Sequence, residues 1–169
     1  MDTHNMIDFN EKKGLICDMD GVIYHGNRVL PGVAEFIQWL HDENKEYLFL
    51  TNNSGYTPRE LSQKLARMGL DVTEEHFYTS ALATAAFLRD QAPGCSVFAI
   101  GEAGLLNALY DAGITMNDVN PDYVVVGEGR SYSLDTLTHA TNLLWTAATP
   151  IGATSTVSLP PQPRLLPAC

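Results

Sequence analysis

Leu15-Ile16-Cys17-Asp18-Met19-Asp20-Gly21-Val22 is an apolar run that ends in two carboxylates one residue apart and then a glycine. Residues i and i+2 of a strand point to the same side, so an uninterrupted strand would hold two like charges together. Asp and Gly are also poor strand formers. The spacing predicts a buried strand that stops at Asp18, with Asp20 and Gly21 in the loop at its carboxyl end. That end is where ligands bind in open α/β sheets. Two carboxylates there suit a hard cation, a nucleophile with its acid/base, or both.

Outward from this stretch, residues 22–30 alternate apolar and polar around Gly26-Asn27, which predicts a small hairpin. Pro31-Gly32 opens a helix through Leu40, with Val33, Phe36, Ile37 and Leu40 on one face. Residues 47–50 read as a second buried strand, running directly into the polar turn Thr51-Asn52-Asn53-Ser54-Gly55. Thr57-Pro58-Arg59-Glu60 carries a cap residue, a proline at the first helical position and an acid three after the cap. That helix is expected to reach about Met68 and stop at Gly69. From Phe77 the pattern restarts: helix over 80–89, strand over 96–100, helix over 103–111, strand over 123–126 and helix over 134–145. The fold class is therefore α/β, in two successive units. Cys17 is expected in the core, as are the faces of Trp39 and Trp145. Past Thr154 the prolines at 160, 161, 163 and 167 predict an irregular segment.

The chain of 169 residues, 45% hydrophobic, is long enough for one domain or two small ones. Its net charge of −10 and pI near 4.7 argue against binding nucleic acid or acidic membranes. Residues 1–13 contain no apolar core of a secretory signal, and no stretch approaches the length of a membrane span. Cys17, Cys95 and Cys169 are widely spaced, as reduced thiols of a cytoplasmic protein would be.

If the strands ending at Asp18 and Leu50 are neighbours in one parallel sheet, their polar ends meet at one edge. Carboxylates, a hydroxyl, amides and backbone N–H groups would then surround one point. Phosphoryl transfer needs such a set: a nucleophile, a proton donor, hydrogen bonds to the equatorial oxygens and a metal to offset charge. Other clusters read plainly. Gly101-Glu102-Ala103-Gly104 imitates a dinucleotide loop but lacks the full fingerprint, so it reads as a helix start. His25, His41, His76 and His139 are too scattered for a metal site.

Asp18-x-Asp20-Gly21-Val22 with Thr51-Asn52-Asn53 resembles motifs I and II of the haloacid dehalogenase superfamily of phosphatases. Pro31-Gly32-x-x-Glu35-Phe36, Phe77-Tyr78-Thr79-Ser80-Ala81 and Asn120-Pro121-Asp122-Tyr123 narrow the resemblance to the NagD-type branch. The resemblance implies a Rossmann-like core, of which residues 1–77 are the N-terminal part, and an α/β (C2-type) cap over 78–169. It implies a Mg²⁺-dependent phosphate-monoester hydrolase acting on a small phosphorylated metabolite. Asp18 would be the nucleophile, forming an aspartyl-phosphate, and Asp20 the acid/base. The Asp18 carboxylate and the Asp20 carbonyl would hold Mg²⁺. Gly21, Thr51 and Asn52 would bind the phosphoryl group, and Asn53 would face the substrate or the cap.

The family pattern also places a lysine (motif III) and further acids (motif IV) after the cap, and neither is present in this sequence. Lys64, on a helix after motif II, does not match the lysine. Ala153-Thr154-Ser155-Thr156 stands where relatives commonly carry Thr-Asn-Pro-Asp. The chain is thus expected to be incomplete at its C-terminal side, impaired as a catalyst, and to expose apolar surface around 15–17 and 47–50. A sheet edge or the cap would then serve homo-oligomerisation. The competing reading is a catalytically inactive α/β fragment that binds or oligomerises. A phospho-acceptor signalling domain, with its adjacent acidic pair, does not match Asp18-x-Asp20.

Overall fold

A computed structural model describes residues 9–130 and 132–154. The chain forms two compact units, Met1–Thr51 with Tyr56–Thr79, and Asn52–Gly55 with Ser80–Cys169. The proline-rich tail and two residues of the altered cap loop, Ser155 and Thr156, lie outside the described residues.

The first unit is built on a parallel sheet of order β1-β4-β5, made of β1 (Gly14–Asp18), β4 (Glu46–Thr51) and β5 (Phe77–Thr79). Between β1 and β4 lie the antiparallel pair β2 (Tyr24–His25) and β3 (Arg28–Val29) and the helix α1 (Val33–Asp42); α2 (Pro58–Arg67) follows β4. The strands β1 and β4 are neighbours, with Cys17 beside Phe49 and Asp18 beside Leu50. Tyr47, Phe49 and Phe77 point to one face, where Ile37 and Leu40 of α1 and Leu61 and Leu65 of α2 cover them in one apolar cluster. Each such side chain contributes roughly 1.5–3 kcal/mol by burial. The capping box expected at α2 is present: the Thr57 hydroxyl accepts from the Glu60 N–H, and the Glu60 carboxylate accepts from the Thr57 N–H.

The opposite face of this sheet is open. Ile16 is 69% exposed, Leu50 38% and Tyr78 39%. Apolar surface is thus exposed at 16 and 50, within the stretches 15–17 and 47–50 where it was expected: among the described residues β1 is an edge strand, and helices cover one side of the sheet. Cys17, expected in the core, is half-buried for the same reason. β5 was not expected as a strand. Its three residues run without a break into α3 (Ser80–Gln91), so the helical pattern masks them.

The second unit carries a parallel sheet of order β7-β6-β8-β9: β6 (Ser96–Ile100), β7 (Thr115–Met116), β8 (Tyr123–Val126) and β9 (Thr149–Gly152). α4 (Ala103–Asp111) follows β6, and α5 (Leu134–Thr146) joins β8 to β9. Leu88 of α3 and Leu105 and Leu109 of α4 pack with Val97 and Val125 of the sheet. On its other face Ala140 and Leu143 of α5 pack with Ile100 and Val124. Trp145, expected in the core, is 89% exposed. It lies two residues past Leu143, about 200° round the helix, and so points away from the sheet. Trp39 packs half-buried against the first core, stacked on Phe36 at a centroid distance of 6.0 Å.

Candidate active site

The loop after β1 is shaped by Met19. Its side chain is fully buried in the first core, and its carbonyl accepts from the N–H groups of Val22, Ile23 and Tyr24 at 3.3, 2.9 and 3.4 Å. With Met19 pinned inward, the residues on either side of it, Asp18 and Asp20, are both exposed. Gly21 follows with φ of +80°, a left-handed conformation that glycine adopts without strain. Its N–H donates to the Tyr24 carbonyl at 2.8 Å, closing the turn.

Asp18 is the last residue of β1, and one of its oxygens accepts from the Met19 N–H at 2.7 Å. Asp20 forms an isolated backbone bridge with Tyr24. Thr51 ends β4 beside Thr79 of β5 and is buried. Since Asp18 pairs with Leu50, Thr51 sits one residue further along the same carboxyl edge. Asp18, Asp20, Gly21 and Thr51 thus share the edge at which the sequence placed them.

Asn52 and Asn53 belong to the second unit. The Asn52 carbonyl accepts from the Ser80 hydroxyl at 2.8 Å. The Asn53 amide donates to the Glu128 carboxylate at 2.6 Å and its carbonyl oxygen accepts from the Gly55 N–H at 3.0 Å. Ser54 is fully buried and its hydroxyl accepts from the Glu128 N–H at 2.6 Å. Asn53 and Ser54 are therefore fastened to Glu128 in the loop after β8, Asn52 to Ser80 at the start of α3, and the Gly55 carbonyl accepts from the Gly104 N–H of α4 at 2.9 Å. Spacing alone does not reveal the Glu128 contacts, because that partner lies 75 residues from Asn53 and 74 from Ser54.

Two further residues lie near the carboxylates, Tyr24 and Lys64, and the sequence reading gave neither a role there. Tyr24 is 3% exposed. Burial, followed by the Asp20 carboxylate, pushes its phenol well above the ordinary range. The Lys64 ammonium lies over the Tyr24 ring, 3.9 Å from its centroid. Burial lowers the Lys64 proton affinity and the Asp20 charge partly restores it.

Among the described residues no three His, Cys, Asp or Glu side chains converge as a metal cage. Mg²⁺ does not require one: it is commonly held by one or two carboxylates, waters and substrate phosphate oxygens. The exposed, oxygen-only pair Asp18 and Asp20 fits that mode by donor type.

A model of the haloacid dehalogenase-like hydrolases matches residues 15–115, more than half the chain. The chain belongs to this family. Among curated members it is 43% identical over 153 residues to the dihydroxyacetone phosphatase of Corynebacterium glutamicum, covering 90% of this chain and 56% of that one. It is 47% identical over 123 residues to the ribonucleotide monophosphatase NagD of Escherichia coli, covering 73% and 49%. The haloacid dehalogenase-like chain therefore spans about half the length of the curated relatives it matches. The solved structure of NagD from E. coli aligns with TM-score 0.77 at 43% identity, over 83% of this chain and 56% of that one. A 4-nitrophenylphosphatase from Thermotoga maritima aligns with TM-score 0.83 at 30% identity, over 91% and 59%. The Rossmann-like α/β fold of the family is thus established here. Among the described residues no helix is long and apolar enough to cross a membrane.

Proposed function

We propose that the chain carries the nucleophile half of a phosphate-monoester hydrolase that acts on a small phosphorylated metabolite in the cytoplasm. The observation that supports this most is the pair of exposed carboxylates, Asp18 and Asp20, held by the buried Met19 at the carboxyl edge of β1, with Thr51 on the same edge. Asp18 attacks phosphorus as the leaving oxygen departs, and Asp20 gives that oxygen a proton. Asp20 then takes a proton from water, which attacks the phosphorus of the aspartyl-phosphate and frees Asp18. Thr51 and the N–H of Asn52, next in the chain, bind phosphoryl oxygens, and Gly21 leaves room for close backbone approach. Mg²⁺, held by Asp18 and the Asp20 carbonyl, would offset the charge of the phosphoryl group. Curated relatives act on dihydroxyacetone phosphate and ribonucleotide monophosphates by their names, which supports a substrate of that size.

Phosphate release from 4-nitrophenyl phosphate, with and without Mg²⁺, tests the reading. Mg²⁺-dependent release that Asp18→Asn abolishes supports it; a folded chain that releases nothing overturns it. One observation favours a second reading, a non-catalytic module that associates through its sheet: the open face carrying Ile16, Leu50 and Tyr78. Inert but oligomeric protein would favour that alternative.

A further inference from the structure

We propose that Glu128 is a positioning residue for the phosphoryl-binding backbone at Asn52, acting through Asn53 and Ser54. The proposal rests on the hydrolase reading above for the role of the Asn52 N–H, while the contacts that carry it are hydrogen bonds within the second unit.

A bare loop after β4 would leave the Asn52 amide free to turn, because each unfixed residue keeps its φ and ψ freedom. A donor for phosphoryl oxygens works by standing in place before charge develops. Residues 52–55 are held one after another. The Asn52 carbonyl accepts from the Ser80 hydroxyl at 2.8 Å, and the Gly55 carbonyl accepts from the Gly104 N–H at 2.9 Å. Between these two points Glu128 ties the loop twice. Its carboxylate accepts from the Asn53 amide at 2.6 Å, and its N–H donates to the Ser54 hydroxyl at 2.6 Å. A hydrogen bond to a carboxylate is the stronger kind. The other end of the Asn53 side chain accepts from the Gly55 N–H at 3.0 Å, so both ends of it shape the loop. The preceding residue makes the approach possible. A Cβ on Gly127 would lie 2.9 Å from the Ser54 hydroxyl oxygen and 2.8 Å from the buried Leu105 side chain. The end of β8 is thus built to receive residues 53 and 54. Glu128 itself stays removed from the reacting atoms and acts on them through the loop it holds.

On the full chain, Glu128→Ala should lower kcat/KM on 4-nitrophenyl phosphate by about 10- to 100-fold, less than the roughly 10²–10³ that outright loss of such a donor costs. Glycerol phosphate should lose as much, because the two esters share the phosphoryl group that Asn52 holds. Inorganic phosphate, added as a competitive inhibitor, should weaken in step. Glu128→Gln, which keeps an acceptor oxygen for the Asn53 amide, should recover most of the loss. A loss confined to one ester would make Glu128 or Asn53 a contact of the leaving group and overturn the proposal. No loss in Glu128→Ala, or no recovery in Glu128→Gln, would overturn it as well. A second measurement needs no turnover: native-state hydrogen exchange at the Gly55 amide, which the Asn53 side chain holds. Glu128→Ala should speed it by about 10- to 100-fold relative to the amides of β6. Exchange at Gly55 that rises no more than that of β6 overturns the proposal, whatever the activity. If the wild-type chain hydrolyses no ester and binds no phosphate, yet exchange at Gly55 rises in Glu128→Ala, the hydrolase reading fails and the positioning of residues 52–55 stands.

Discussion

Met19 and Ile16 are apolar neighbours three residues apart, and the fold assigns them opposite fates. Met19 is fully buried in the first core, whereas Ile16 is 69% exposed on the open face of the sheet. Truncating a fully buried Met to Ala removes its transfer energy and leaves a cavity, at a typical cost of about 2–5 kcal/mol. Met19 also carries the carbonyl that gathers three N–H groups of the loop, so Met19→Ala should fall in the middle of that range, near 3 kcal/mol. Met19→Leu keeps the volume and should cost less than about 1.5 kcal/mol. Ile16→Thr keeps a β-branched residue on an exposed strand and should stay within about 0.5 kcal/mol of neutral. Urea unfolding with hydrogen exchange read on the amides of β1 and β4 measures these values for the first unit alone. A cost above about 1.5 kcal/mol for Ile16→Thr, or below about 1 kcal/mol for Met19→Ala, would refute the face assignment of β1.

Other consequences follow from single contacts. Asn53→Ala removes the amide that donates to Glu128 and should cost about 1.5–3 kcal/mol, the usual range for a hydrogen bond to a charged group, seen as faster amide exchange over residues 52–55. Thr57→Ala should cost about 1 kcal/mol through loss of the capping box, and Thr57→Ser should recover it, both read from urea midpoints. The Asp122 carboxyl is held below its ordinary value because it accepts from the Ser96 backbone N–H and then from its hydroxyl. A depressed folded value means stability that is present above the unfolded pKa of about 3.9 and lost as pH falls through the folded one. The stability gap between wild type and Asp122→Asn should therefore hold from pH 7 to about 4 and close below it, as measured by urea unfolding across that range.

The order of helices and strands was readable because each long element carries its own period and punctuation. The Thr57-Pro58-Glu60 cap, the Gly26-Asn27 hairpin and the apolar runs before Asp18 and Thr51 all match the structure. The strands that escaped notice are short or disguised. Thr115–Met116 is two residues long, Phe77–Thr79 runs into a helix, and Thr149–Gly152 contains Pro150. A proline argues against a central strand but is tolerated at a sheet edge, where β9 lies. Burial was misjudged at Cys17 and Trp145, since an apolar residue is silent about which side of its element is covered. At the site, the local motif placed Asp18, Asp20, Gly21 and Thr51. The attachment of Asn53 to Glu128 and of Lys64 to Tyr24 depends on residues 75 and 40 positions apart, and local spacing holds no trace of such pairs.

The central claim is that Asp18 receives the phosphoryl group and Asp20 manages the proton. Acid-quenched mass spectrometry of the chain after incubation with Mg²⁺ and 4-nitrophenyl phosphate tests it directly. Asp20→Asn should accumulate a phosphoryl group on the peptide containing Asp18, because transfer to a good leaving group proceeds while hydrolysis stalls. Asp18→Asn should carry none. A phosphoryl group on any other residue, or phosphate release that persists in Asp18→Asn, would contradict the account.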